Sequence, residues 1–137
     1  MIANGLGVIR VQWYSSVMDL VRGLRKNTFA GMRYSVPLTL GAIAMQLVVN
    51  IWPFVALLVT DGATYWLNLA TSAMLVLLLA ATSVGNRGRV WIALGYPIAA
   101  AIFVFILVDS TWRTLRRGGI EWRGTFYPLA ALKANDV

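Results

Sequence analysis

Residues 34–60 contain no charged side chain, and the apolar part of that run, residues 36–59, restricts the fold more than anything else in the chain. About 24 residues at about 1.5 Å each reach about 36 Å, which crosses a hydrocarbon core of about 30 Å with some tilt. Two further runs follow. Residues 65–84 lie between Asp61 and Arg87, and residues 90–108 between Arg89 and Asp109; each has about the 20 residues of a spanning helix. The linkers are too short for a soluble domain. Composition agrees, because a chain of 137 residues that is 59% hydrophobic and 12% charged, with mean hydropathy +0.71, is too apolar for a water-soluble domain of its size. The sequence therefore predicts an integral membrane protein.

Aromatic residues mark the same boundaries. Tyr34 precedes the first run, Trp52 comes late in it, Tyr65 and Trp66 open the second, Trp91 opens the third and Trp112 follows it. Such rings favour the membrane interface, with an apolar body in lipid and a polar edge in water. The formal charge of +7 sits outside the apolar runs, at the membrane edges, where the expected partner is anionic lipid and not nucleic acid. The first ten residues are too short and too interrupted in their apolar content for a signal peptide.

Residues 13–26 have a different pattern. At 100° per residue, Trp13, Tyr14, Val17, Met18, Leu20, Val21 and Leu24 share one arc, with Ser15, Ser16, Asp19, Arg22 and Lys26 opposite. Ser16 followed by Asp19 resembles a capping box, and Arg22, Arg25 and Lys26 come late, where a helix dipole favours cations. The segment reads as an amphipathic helix in the membrane surface, or equally as one packed on a soluble domain. Arg22, Arg25, Lys26 and Arg33 are its membrane-surface cations.

Charge also bears on sidedness. The basic N-terminal flank, against a first loop holding only Asp61, places the N-terminus in the cytoplasm. Three full crossings would then leave Arg113, Arg116, Arg117, Arg123 and Lys133 outside, against the same rule. Either the tail is external or one apolar segment enters and leaves on the same side, and the charge rule favours a cytoplasmic tail. Pro37, Gly41 and Pro53 in the first run, and Gly95 and Pro97 in the third, are places where a helix can break.

The inventory for chemistry is small. With no His and no Cys, there is no histidine base, no thiol and no Cys/His metal site. The acids Asp19, Asp61, Asp109, Glu121 and Asp136 are dispersed, and no phosphate loop is present. No catalytic residue and no metal ligand is assigned in this chain. Gln46 and Asn50, four apart, and Asn68 are polar groups in apolar runs, suited to hydrogen bonds between helices or to a substrate path. In the tail, Ile120, Trp122 and Phe126 alternate with Glu121, Arg123, Thr125 and Tyr127 up to Pro128, which predicts a short extended segment. Trp122 and Arg123 suit either an aromatic platform beside a phosphate-binding cation, or an interfacial ring beside an arginine reaching for headgroups.

The stretch GGIEWRGTFYPLAALKAN, from Gly118 onward, resembles the C-terminal end of membrane-anchored family 2 glycosyltransferases, the bacterial group that includes hopanoid-associated and carotenoid-pathway enzymes; ceramide glucosyltransferases are more loosely similar. The segment GLGVIRVQWYSSVMDLVRGLRKNTFAGMRYS is similar to the part of these enzymes that leaves the catalytic domain along the membrane. Where many relatives carry QxxRW, this chain reads LVRGLRKN, with Gly23 in place of the Trp. The resemblance implies sugar transfer from a nucleotide-sugar to a lipid acceptor, by a cytoplasmic domain that holds a divalent metal through a DxD motif. That domain would precede Met1, so no cofactor is expected in this chain. By resemblance, Trp122, Arg123 and Tyr127 face the lipid substrate, and the protein lies in the bacterial inner membrane.

The reading is an all-α membrane protein in three parts. Residues 1–33 are a leader and amphipathic interfacial helix. Residues 34–112 form a membrane domain of three hydrophobic helices, transmembrane or partly re-entrant, at about 36–59, 65–84 and 90–108. Residues 113–137 are a basic C-terminal tail with a short extended segment. The expected function is membrane anchoring and lipid-acceptor access for a glycosyltransferase whose catalytic domain or subunit is the partner. The alternative is a small non-enzymatic membrane protein of structural or assembly role.

Overall fold

The computed structural model describes residues 14–85, 89–122 and 124–134. It is an all-α membrane fold: helix α1 (Val17–Gly31), a broken first span of α2 (Val36–Gln46), a π-turn (Leu47–Ile51) and α3 (Trp52–Ala56), then α4 (Gly62–Gly85). A 3₁₀ segment (Val90–Gly95) leads into α5 (Tyr96–Arg117), and the tail forms strands β1 (Gly119–Trp122) and β2 (Thr125–Pro128) and helix α6 (Leu129–Ala134). Three helical stretches, Val36–Ala56, Gly62–Val84 and Val90–Arg117, are long and apolar enough to cross a membrane. Only 11%, 11% and 22% of their most apolar windows are buried within the protein. Leu58, Leu67 and Leu94 are 84%, 70% and 74% exposed, an apolar surface that water would not tolerate and lipid covers. Trp52, Trp66, Trp91 and Trp112 are all at least half exposed, as interfacial rings should be.

Helix α1 starts as the sequence predicts. Ser16 is its N-cap, its hydroxyl accepting from the Asp19 amide at 3.1 Å. It runs on to Gly31, however, so Arg22 and Arg25 sit in its middle and its last turn holds no basic residue. The expected dipole pairing at its C-terminus is therefore not made. Arg33 and Tyr34 follow with φ of 52° and 53°, two consecutive non-glycine residues in the left-handed region. The Tyr34 amide donates to the Phe29 carbonyl at 3.0 Å, and the Phe29 and Tyr34 rings meet edge to face at 5.6 Å. This turn folds α1 back instead of letting it continue into α2, which Ser35 caps and Pro37 opens.

The first span breaks where Pro53 allows it to. Proline cannot donate to the preceding turn, and the helix accommodates it with the π-turn at Leu47–Ile51. Asn50, in that turn, donates to Gln46 Oε1 at 2.9 Å and accepts from the Tyr96 hydroxyl of α5. Helix packing thus accounts for the Gln46–Asn50 pair. The third run breaks at Gly95, and Pro97 sits in the first turn of α5. Helix α5 then runs two turns past the predicted end at Val108, until Gly118 stops it with φ 68°.

Two long-range contacts orient the helices. Phe29 and Arg25 meet Ser110, while Asn50 and Phe54 meet Tyr96. The first span and α5 are therefore antiparallel, with α1 and the end of α5 together at one end. The chain leaves this pair at Ala56 and rejoins it at Tyr96, both toward the far end.

The tail is more folded than a single extended segment. β1 and β2 pair antiparallel in the register Gly119↔Pro128, Ile120↔Tyr127, Glu121↔Phe126 and Trp122↔Thr125, and the connection contains Gly124 at φ 81°. The alternation read from the sequence belongs to two strands. The Leu129 amide donates to the Gly118 carbonyl at 2.8 Å, tying the start of α6 to the end of α5.

Candidate functional site

Where α1, the last turns of α5 and the hairpin meet, they enclose a cleft of about 700 Å³. Arg22, Arg25, Asn27 and Ala30 line it from α1, Ser110, Arg113, Thr114 and Arg117 from α5, and Ile120, Glu121, Tyr127 and Leu132 from the tail. Tyr34 closes it from the left-handed turn.

The α1–α5 contact is its back wall. Ser110 is 1% exposed; its hydroxyl donates to the Arg25 carbonyl at 2.6 Å and accepts from the Phe29 amide at 3.3 Å, so one side chain bridges a turn of α1. Val21 and Phe29 bury beside it, at 7% and 1% exposure. Val17 and Met18, on the rest of the apolar arc, stay exposed. The helix thus packs on the protein by one part of its arc and keeps an exposed apolar strip on the rest.

Asp109 organises the charges. Its side chain is 15% exposed and holds two guanidiniums: Arg113 Nε, one turn on, at 2.9 and 3.0 Å from its two oxygens, and Arg25 Nε from α1. The Arg25 contact is an ion pair off the N–H direction, not an aligned hydrogen bond. Arg22 reaches Asp19 at 3.6 Å on the surface. The carboxyl of Asp19 is held below its ordinary 3.8, first by the hydroxyl of Ser15, then by that of Ser16, with Arg22 adding to them. Burial pushes the Tyr34 phenol above its ordinary 10.0, so it stays a neutral hydrogen-bond donor at the cleft.

The residues marked in the sequence fall out as follows. Arg22, Arg25 and Tyr127 line the cleft together. Arg33 is exposed in the turn and does not line it. Trp122 pairs with Thr125 through its backbone; its side chain, that of Lys26, and Arg123 as a whole lie outside the described residues. Sequence reasoning missed Asp109, Ser110, Tyr34, Glu121, Arg113 and Arg117 as site residues. The spacing of Asp109 and Arg113, four apart on one helix, was an available signal. The pairing of Arg25 with Asp109 had none, because it depends on the α1 turn. Among the described residues no three of His, Cys, Asp and Glu come together to hold a metal. The cleft offers guanidiniums, hydroxyls and one carboxylate beside apolar walls, which is equipment for binding a polar headgroup. No protein family, curated protein or solved structure matches the chain.

Proposed function

We propose that this chain is the membrane portion of a family 2 glycosyltransferase system and gives a lipid acceptor access to a catalytic domain or subunit that uses a nucleotide-sugar. The observation that carries the reading is the meeting of the amphipathic α1 and the C-terminal hairpin around one cleft, at one end of the helix pair. A tail on the far side from the basic helix would have removed the basis for it. The two segments that resemble the glycosyltransferases are the two that form the cleft with α5. An acceptor headgroup seated there lies at the membrane surface, where a catalytic domain joined to the N-terminal flank would work. The divalent metal belongs to that domain, and the setting is a bacterial inner membrane with the cleft facing the cytoplasm.

The test is reconstitution. The chain is co-expressed with candidate DxD-containing domains, encoded upstream of Met1 or in an adjacent gene, and lipid glycosylation is measured. Transfer that requires the chain, and that falls when Tyr127 and Arg117 are replaced, supports the reading. Transfer by the catalytic half alone, or by no combination, leaves the non-enzymatic structural role in its place. Because the chain has no native cysteine, single cysteines at Asp61 and Lys133 report sidedness cleanly. Shielding of Lys133 with exposure of Asp61 to an external reagent is the expected pattern.

A further inference from the structure

We infer that the cleft binds the phosphate of a phospholipid headgroup, with Arg113 and Arg117 as its ligands. This rests on reading the cleft as a lipid entrance but not on glycosyl transfer.

Three observations lead there. The first is height. The apolar run of α5 ends at Val108, so at 1.5 Å per residue Arg113 stands about 7 Å and Arg117 about 13 Å beyond it along the helix. The headgroup layer of one leaflet is roughly 5–8 Å thick, and the long arginine stems span the remainder. The second is donor capacity. Both bonds from Arg113 to Asp109 use Nε, leaving its terminal N–H donors available and the guanidinium plane fixed by the carboxylate. Arg117 lines the same cleft and makes no ion pair among the described residues. With Asp19, Asp109 and Glu121 set against Arg22, Arg25, Arg113 and Arg117, three negative charges meet four positive ones, and the surplus arises where Asp109 alone is shared by Arg25 and Arg113. The third is the apolar part of the lining. Ala30, Ile120 and Leu132 share the cleft with the arginines, and Val17 and Met18 are exposed apolar residues on the same helix as Arg22 and Arg25. A free phosphate uses only the arginines, whereas a phospholipid uses both surfaces.

The full chain is reconstituted in vesicles containing equal amounts of phosphatidylglycerol and a diacylglycerol with the same acyl chains. It is then released into detergent, and the retained lipid is counted by native mass spectrometry. Phosphatidylglycerol retention about tenfold above diacylglycerol is expected, as for one charge-assisted hydrogen-bonded contact. Arg113→Gln with Arg117→Gln should abolish the preference, Arg117→Gln alone should reduce it, and Arg89→Gln, outside the cleft, should leave it intact. The single Arg117 variant preserves the Asp109 pairs, so its result does not depend on refolding around them. Equal retention of the two lipids overturns the phosphate assignment but leaves a lipid entrance standing. Retention of neither overturns both readings. Displacement of the lipid by inorganic phosphate assigns the site to a soluble anion and overturns the phospholipid.

Discussion

Replacing Asp109 with Asn tests whether charge holds α1 against α5. The substitution keeps the shape of the side chain, turns one acceptor oxygen into an N–H donor, and removes the negative charge between Arg25 and Arg113. Removing one partner of a fully buried pair costs about 3–5 kcal/mol, and an exposed pair is worth about 0–1. Asp109 and Arg25 are 15% and 27% exposed, between these limits, so about 1–3 kcal/mol is the reasonable magnitude here. That shifts the ratio of docked to undocked α1 by about 5- to 150-fold. The readout is a pair of spin labels on cysteines at Val17 and Leu115, both exposed positions on α1 and α5, with the protein in lipid nanodiscs. The parent should give one narrow distance, and Asp109→Asn a second, longer population. Arg25→Gln should reproduce the effect, and the double variant should fall short of the sum, since each change removes the same pair. A single unchanged distance in both variants would refute the argument and leave the burial of Val21 and Phe29 and the two Ser110 hydrogen bonds as the attachment.

Tyr96→Phe deletes the hydroxyl that reaches Asn50 across the first span and α5. It should lower stability in detergent by roughly 0.6–2 kcal/mol, measured as a fall in Tm, and Asn50→Leu should cost about the same. Gly119→Ala places a Cβ 2.2 Å from the Tyr127 carbonyl oxygen, a backbone atom held by strand pairing. The hairpin should lose about 1–3 kcal/mol and its amides should exchange faster, whereas Gly23→Ala meets only the far end of the exposed Tyr14 side chain, which can swing aside, and should cost less. The folded pKa of Asp19 is depressed, so its contribution to the start of α1 is present above its ordinary 3.8 and lost as pH falls below that value. The protection of the amides at residues 17–20, measured against their intrinsic exchange rates, should fall over that acid range, and Asp19→Asn should remove this pH dependence of protection.

Apolar runs, aromatic belts and the Ser16–Asp19 start of α1 were legible because each depends on residues near one another in sequence. Pro53 and Gly95 likewise marked breaks that the helices contain. What could not be read is contact at a distance. The charge in Asp109 looked like a boundary signal, yet it pairs with Arg25, 84 positions earlier, because α1 turns back. Hydropathy stops at Val108, whereas Ser110 and Thr114 continue α5 by burying against neighbouring elements. The tail alternated like one strand, and only Gly124 in its middle hinted at a reversal. Hydropathy also counts three spans without saying which of them change sides. Leaving and rejoining the antiparallel pair toward the same end means that the segment through α4 adds no net change of end. The basic residues of α1 and of α5 then lie at one end of the pair, the arrangement in which the charge rule meets no conflict.

The cleft exists because the chain accepts strain at Arg33 and Tyr34. A helix continuing from α1 into α2 would carry Arg22 and Arg25 away from α5 and leave Asp109 with Arg113 alone. Two non-glycine residues in the left-handed region cost about 1–2 kcal/mol each. The Tyr34–Phe29 and Ser35–Met32 backbone bonds, the edge-to-face rings and the docking of α1 offset that cost. Arg33 isolates the effect, being exposed and outside the cleft lining. Arg33→Val puts a β-branched side chain at φ 52° and should lengthen the Val17–Leu115 distance, while Arg33→Gly removes the same charge, relaxes the turn and should leave the distance unchanged. If both variants lengthen the distance, the charge of Arg33 positions α1, and if neither does, Arg33 has no part in it; in either case the strained turn is not what builds the site.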